Sequence, residues 1–217
     1  MKKTLLNVVS LMLLIVGIVN AQDATSFSIL VGPNYAWGNG NKSFFESTAK
    51  FGYCLGGSLQ TKLQDKLGFE LQMVYSYNQA KYTFTDNEPD YNYYSKFTGT
   101  QEISFVDMPI LITYHTGNSL LNRLKVGFVA SWAISAHTNS EYHEDDDGYT
   151  FDYSYSRDNE DFFKTSDIAI TAGTEIRLSE GLGLDVRYLH GLRGILDQSG
   201  DFKVKRSVIS VMLTKKL

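Results

Sequence analysis

The 217-residue sequence has one cysteine and three prolines, and its longest apolar run covers only Leu11 to Val19. A helical membrane protein needs runs of about 18 or more apolar residues, so this class is excluded. A single cysteine cannot form an intramolecular disulfide, and we expect Cys54 to be a small buried side chain because no His and acid pattern accompanies it. The 14 Tyr, 13 Phe and 2 Trp exclude a disordered chain, and 18 glycines favour β structure in one domain.

The first 21 residues have the three parts of a secretory signal peptide. Lys2 and Lys3 form the positive region, residues 5–19 the apolar region, and Val19-Asn20-Ala21 the small-residue cleavage site. We therefore expect a mature chain of residues 22–217. Loss of the two lysines changes the formal charge from -4 to -6, and an acidic surface argues against a nucleic acid partner.

Eight segments of the mature chain alternate between two kinds of side chain with a period of two, as β-strands do. In the clearest segment, residues 67–78, one face reads Leu, Phe, Leu, Met, Tyr, Tyr. Pro109 cannot donate a ladder hydrogen bond, so we expect a bulge or local defect there. The eight predicted strands are residues 27–37, 51–60, 67–78, 106–114, 124–135, 168–178, 182–189 and 208–213.

The connections between these segments alternate between short and long. Residues 61–66, 116–123 and 179–181 are short turns, whereas residues 38–50, 79–102, 137–162 and 193–201 are long loops. Most segments have the roughly 9–11 residues that a tilted strand needs to cross a bilayer, more than the usual strand of a soluble sandwich. The sequence predicts an all-β, eight-stranded antiparallel up-and-down transmembrane β-barrel with short periplasmic turns and long extracellular loops, embedded in outer-membrane lipid.

Aromatic residues cluster near the long-loop ends of the predicted strands, on the apolar face. An aromatic girdle at the outer membrane interface would place them at this height. They are Tyr35, Trp37, Phe51, Tyr53, Tyr75, Tyr77, Trp132 and Tyr188.

Three stretches of the chain resemble the PorT-like outer-membrane β-barrel proteins, a group of exported eight-stranded barrels of Gram-negative bacteria. They are residues 103–111 (ISFVDMPIL), 167–175 (DIAITAGTE) and 184–192 (LDVRYLHGL). Most members of that group are described as porin-like. The resemblance therefore implies the barrel fold and the cell outer membrane, and no particular activity.

Charged residues alternate with the apolar face on several strands and should point into the barrel. The interior of an eight-stranded barrel is wide enough only for side chains, so we expect the charges to pair as a polar plug. Alternatives are a narrow ion path or a catalytic carboxylate pair such as Glu70 with Glu175. The candidate plug residues are Lys62, Glu70, Asp107, Glu175, Arg177, Asp185 and Arg187, with Gln60 and Gln72 beside them.

The loop at residues 137–162 carries nine acidic residues and one arginine, a formal charge of -8. Tyrosine beside flexible polar residues is common in recognition surfaces. With the neighbouring loop 90–94, this loop is predicted to bind a basic protein, a glycan or divalent cations bridging lipid phosphates; the alternative is a hydrated acidic tip. The candidate recognition residues are Tyr142, Asp145, Asp146, Asp147, Tyr149, Tyr153 and Tyr155, with Phe151 interleaved among them.

The sequence contains no recognisable site for a metal, a cofactor or catalysis. Residues 145–148 lack the alternating acids of a calcium loop. His190 near Tyr188 is the one candidate for a lipid-modifying enzyme, and no Ser, acid and His spacing accompanies it. The leading hypothesis is a non-enzymatic outer-membrane barrel that acts through its extracellular loops or as an accessory subunit of an envelope complex. A narrow porin-like channel and a lipid-modifying enzyme are the alternatives.

Overall fold

The computed structural model describes residues 25–40, 45–88, 93–118, 120–146, 149–158, 166–194 and 203–217. These residues form nine β-strands. None of them lies in a helix long and apolar enough to cross a membrane. The strands are β1 (Thr25–Gly40), β2 (Phe45–Lys62), β3 (Leu67–Glu88), β4 (Tyr93–His115), β5 (Leu121–Asp146), β6 (Tyr149–Asp158), β7 (Ser166–Ser179), β8 (Leu182–Gly191) and β9 (Val204–Lys216).

The strands form one antiparallel sheet that closes into a ring. The sheet order is β4-β3-β2-β1-β9-β8-β7-β5-β6, and an additional pairing of β4 with β5 closes it. The ring therefore has eight members, and β6 lies outside it, paired only with the distal half of β5. The predicted barrel fold is confirmed, and β6 is an additional strand within the segment that was expected to be a loop.

The strands extend well beyond the predicted segments at the long-loop end. Residues 79–102 were expected to be a loop, but β3 and β4 remain paired from Leu67↔Tyr114 to Glu88↔Tyr93. The expected loop at residues 137–162 is mostly the β5–β6 hairpin. The strands were predicted from an outward apolar face, which ends where the lipid-facing band would end, whereas backbone pairing continues past that height.

Pro109 interrupts its ladder with β3 without causing a bulge, so the local defect expected there is present. The recorded partners pass from Leu71↔Ile110 to Val74↔Asp107 in the same register, so the ladder with β3 is only interrupted beside the proline. On its other side, Pro109 pairs in register with Val129 of β5. The β4–β5 bulge lies instead between Ser104 and Phe105.

The barrel has an apolar exterior and a largely polar interior, the reverse of a soluble protein. Its outward side chains form a continuous exposed band around the middle of the strands, and rings such as Tyr35 and Phe51, with centroids 5.0 Å apart, contact each other at its long-loop edge. Cys54 is buried, and packs with Leu30, Val74 and Met212. The band includes Phe27, Ile29, Val31, Leu55, Ile110, Ile112, Val126, Phe128, Ile168, Ile170, Ile209 and Leu213.

Candidate functional site

The short-turn half of the barrel interior contains an ion cluster around Lys125. Its Nζ lies 2.6 Å from Asp185 Oδ2, 2.9 Å from Glu70 Oε2 and 3.0 Å from Glu175 Oε2. The lysine and these three carboxylates come from β5, β8, β3 and β7, and all are buried. One ammonium thus joins four strands around the ring at a single level.

Two arginines complete the cluster and balance its charge. Arg187 Nη2 lies 3.0 Å from Asp185 Oδ1, and its Nη1 donates to Gln72 Oε1 at 2.7 Å. Arg123 pairs with Glu175 on the short-turn side. We call Lys125, Glu70, Glu175, Asp185, Arg187 and Arg123 the lower ion cluster; its three cations match its three carboxylates.

A second set of buried charges lies nearer the long-loop end. Arg206 Nη2 lies 2.9 Å from Asp107 Oδ1 and 2.8 Å from Ser131 Oγ, and its guanidinium carbon lies 4.0 Å from the centre of the Phe105 ring. Asp167 Oδ2 is 3.8 Å from Arg206 Nε, beyond hydrogen-bond distance. We call Arg206, Asp107 and Asp167 the upper ion cluster; it holds two carboxylates for one cation.

Apolar groups fill the space around the upper ion cluster. Val129, Ala169, Leu189, Val208 and Ala36 pack together, and Phe105 packs with Ile103 and Ala136. A cavity beside Arg206 and Phe105 has about 20 Å³, the room of a single water. Side chains from strands that are not adjacent in the ring therefore meet across the lumen at two levels.

The structure brings five of the seven predicted plug residues into these clusters, namely Glu70, Asp107, Glu175, Asp185 and Arg187. The other two lie at the short-turn mouth, where they line a cavity of about 1120 Å³ that opens outward. Lys62 is about half exposed and lies 3.7 Å from Asp65, and Arg177 is exposed and donates to Asn122 Oδ1. Both lie on the inward face that alternation predicted, and they remain exposed because they are near strand ends, at the open mouth of the barrel.

The sequence reasoning missed four charged members of the clusters: Arg123, Lys125, Asp167 and Arg206. Lys125 and Asp167 alternate with outward apolar residues, so the period of two already placed them inside. Arg206 precedes the last predicted strand by two residues and has the same parity as inward Val208. Alternation was therefore sufficient to predict that Lys125, Asp167 and Arg206 face inward. It could not identify their ion-pair partners, which lie on distant strands.

Beyond the aromatic girdle, β2 to β6 continue as a sheet that carries a row of paired rings. The register Phe45↔Phe84↔Phe97↔Tyr142↔Tyr153 places one aromatic residue directly opposite the next on five adjacent strands. Ring centroids are 5.1 Å apart for Phe45 and Phe84, 5.8 Å for Phe84 and Phe97, and 4.9 Å for Tyr142 and Tyr153. We call these five residues the aromatic ladder.

The ladder runs from a buried end to an exposed one. Phe45 is buried beside Tyr82, whereas on β6 Tyr153, Phe151 and Tyr149 are 55, 58 and 72% exposed. The alternation on β6 places these three rings on the same face. Cross-strand aromatic pairs stabilise a sheet, but three adjacent exposed rings at its edge exceed what folding requires.

The opposite face of this sheet is polar and partly acidic. His143 Nδ1 lies 2.6 Å from Asp152 Oδ1, joining β5 to β6. A shallow cavity of about 400 Å³ on this face is lined by Lys50, Lys81 and Glu141 among hydroxyl groups. Of the predicted recognition residues, Asp147 and the side chains of Asp145, Asp146 and Tyr155 lie outside the described residues, as does most of loop 90–94.

His190, the candidate for an enzyme, has a serine neighbour that the sequence did not reveal. Its Nδ1 lies 3.1 Å from Ser207 Oγ, which also lies 3.2 Å from the Tyr188 hydroxyl and accepts from Asn39 Nδ2 at 2.6 Å. Ser207 is fully buried. Among the described residues, no carboxylate contacts His190, and the buried Ser207 is out of reach of a substrate, so these residues do not form a catalytic triad.

Within the described ranges, no group of three or more His, Cys, Asp or Glu side chains is arranged to hold a metal ion. The lower ion cluster illustrates the reason. Its carboxylates already face ammonium and guanidinium groups, which occupy the positions that a cation would take.

A family model, described as the outer membrane protein beta-barrel domain, matches residues 20–197 of this chain. No curated protein matches it. Among solved structures, similar ones are Ail, the attachment invasion locus protein of Yersinia pestis (12% identity, 89% of this chain and 99% of that one, TM-score 0.43), OprG of Pseudomonas aeruginosa (13%, 89% and 96%, 0.40) and Neisserial surface protein A (13%, 90% and 100%, 0.38). These low scores carry no functional information.

Proposed function

Since this chain belongs to the outer membrane protein beta-barrel domain family and lies in the cell outer membrane, we propose that it is a non-enzymatic surface protein that binds a basic protein segment. The β2–β6 sheet beyond the girdle is the binding surface. The observation that carries the proposal is the aromatic ladder ending in exposed rings on an acidic hairpin.

The exposed rings and the acidic residues of the β5–β6 hairpin both favour the binding of a cationic side chain. The faces of Phe and Tyr rings attract ammonium and guanidinium groups, with about 0.5–1 kcal/mol at an exposed site. Glu144 of β5 pairs with Phe151 of β6, so a carboxylate stands beside an exposed ring on the same face. The formal charge of -8 over residues 137–162 adds a longer-range attraction for a basic partner.

The barrel itself supports a structural role. Because the lower and upper ion clusters and the apolar groups around the upper one obstruct the interior, we expect the pure protein to show no steady porin-sized conductance in planar bilayers. Large, reproducible conductance steps would favour the channel alternative instead. The buried state of Ser207 supports the absence of lipid hydrolysis, and the three stretches named above support a place in the PorT-like group within the family.

The proposal can be tested with a ten-residue peptide of alternating lysine and threonine, added to the purified full chain in detergent micelles. We expect saturable binding that weakens with salt, and no binding of the matching peptide of alternating glutamate and threonine. The double variant Glu141→Gln/Glu144→Gln should bind the lysine peptide about threefold to tenfold more weakly, because exposed ion pairs contribute about 0.2–1 kcal/mol each.

A matched control removes the same charge from the opposite end of the barrel. Asp65→Asn/Glu180→Gln changes two exposed carboxylates at the short turns, and its affinity for the lysine peptide should equal that of the unmodified chain. Equal binding of the lysine and glutamate peptides, or equal losses in the two double variants, would show that the hairpin is not the binding surface.

A further inference from the structure

Strand β6 is the end of the sheet order and, among the strands that the structure describes, has a neighbour on one side only. It pairs with β5 along its whole length, from His137↔Asp158 to Asp146↔Tyr149. Among the described strands, no other pairs with it. One row of its backbone N–H and C=O groups therefore faces away from the sheet.

β6 lacks most of the features that usually protect an edge strand. Proteins avoid unwanted pairing with short edges, prolines, charged side chains (lysines above all) or bulges; of these, β6 has only the charged residues Asp152, Arg157 and Asp158. β6 has ten residues, contains neither proline nor lysine, and keeps an uninterrupted register with β5. Its sequence, YTFDYSYSRD, contains four aromatic residues and one threonine, which favour strands. The edge is thus suited to accept another strand.

We propose that β6 binds its partner by strand addition, so that a basic extended segment becomes the tenth strand of the sheet. This inference rests on the proposed function and specifies how the same surface recognises its partner. The edge supplies backbone hydrogen bonds, which give affinity to any extended segment. Side chains at alternate positions of that segment provide the selectivity.

The two faces of β6 determine which side chains the added strand needs. On one face, Tyr149, Phe151 and Tyr153 would lie beside every second residue of the partner, which favours Lys or Arg there. On the other face, Thr150, Asp152 and Ser154 favour small polar or basic residues. A strand with cationic residues at every second position matches this edge.

Charge argues against the two other occupants of this edge. A second copy of the chain would bring a second hairpin segment with a formal charge of -8 alongside the first, and like charges on adjacent strands are destabilising. The same chain could offer residues 159–165 or 195–202, but these two segments contain four acidic residues and a single lysine in total. The basic segment of another protein is the complementary occupant.

Backbone methylation of the alternating lysine and threonine peptide separates strand addition from other binding. In an antiparallel pair, every second residue directs its N–H and C=O toward the partner strand. One peptide would carry N-methyl groups on all lysines and another on all threonines, with charge unchanged. We expect one of them to retain the affinity of the parent and the other to lose more than about tenfold. Hydrogen exchange of the β6 amides in the full chain should slow when the parent binds.

The outcomes distinguish this inference from the proposed function. If both methylated peptides bind like the parent, strand addition is wrong, while recognition by the hairpin stands. If the parent peptide does not bind, the proposed function fails as well. Strand addition is also overturned if β6 amides on both edges are protected before peptide is added, or if dimers form through β6.

Discussion

Replacing Lys125 by methionine tests whether the lower ion cluster stabilises the barrel. The ammonium is 1% exposed and lies within 3.0 Å of three carboxylates. Without it, Asp185 still pairs with Arg187 and Glu175 with Arg123, but Glu70 keeps only the amide of Gln72. An uncompensated buried charge costs about 3–5 kcal/mol, and we expect the free energy of unfolding to fall by that amount.

The assay is reversible denaturant unfolding in lipid vesicles, followed by the fluorescence of Trp37 and Trp132. The double variant Lys125→Met/Glu70→Gln removes the stranded charge together with its partner, and should recover at least about 2 kcal/mol of the loss. The control Lys62→Met removes an exposed lysine and should cost less than about 1 kcal/mol. A loss below about 1 kcal/mol for Lys125→Met, or no recovery in the double variant, would refute the structural role of the cluster.

Three further predictions address the rest of the barrel. Asp107→Asn should destabilise the barrel by about 1–3 kcal/mol more than Asp167→Asn, because only Asp107 is hydrogen-bonded to Arg206; equal effects in denaturant unfolding would contradict this. Gly127→Ala should impair assembly, since a Cβ there would lie 2.0 Å from the Ile110 carbonyl oxygen. The control Gly57→Ala should assemble normally, because its Cβ would meet nothing nearer than 3.7 Å. Assembly is measured by the gel shift between unboiled and boiled samples. The unmodified chain and Ser207→Ala should both release no more fatty acid from phospholipid vesicles than vesicles without protein do. A hydrolytic rate that Ser207→Ala abolishes would establish an enzyme.

The sequence predicted the transmembrane part of the fold because lipid enforces a strict rule there. Every second residue must be apolar, so the segments around Phe27, Leu67 and Val126 could be recognised without any partner. The same alternation placed Glu70, Asp107, Glu175, Asp185 and Arg187 inside. It placed Lys62 and Arg177 on the same face but did not show that they remain exposed, because close to the strand ends both faces meet water.

The binding surface was only partly accessible to sequence reasoning. The acidic charge and the tyrosines of residues 137–162 indicated a recognition site, but they were expected to lie on a loop. The aromatic ladder depends on register, since Phe45, Phe84, Phe97, Tyr142 and Tyr153 are separated by 11 to 45 positions along the chain. No local pattern reports that these residues are opposite one another.

The sequence by itself determined that this chain is a barrel with an apolar exterior and charges inside, because a period of two specifies the face of every residue in a strand. Only the tertiary structure decided which charges meet, since Lys125 finds Glu70, Glu175 and Asp185 on three other strands after the ring has closed. It also decided that β5 continues into a hairpin whose outer strand lies beyond the ring. Above the apolar band, strand pairing depends on backbone hydrogen bonds to the neighbouring strand, and the sequence of a single segment does not identify that neighbour.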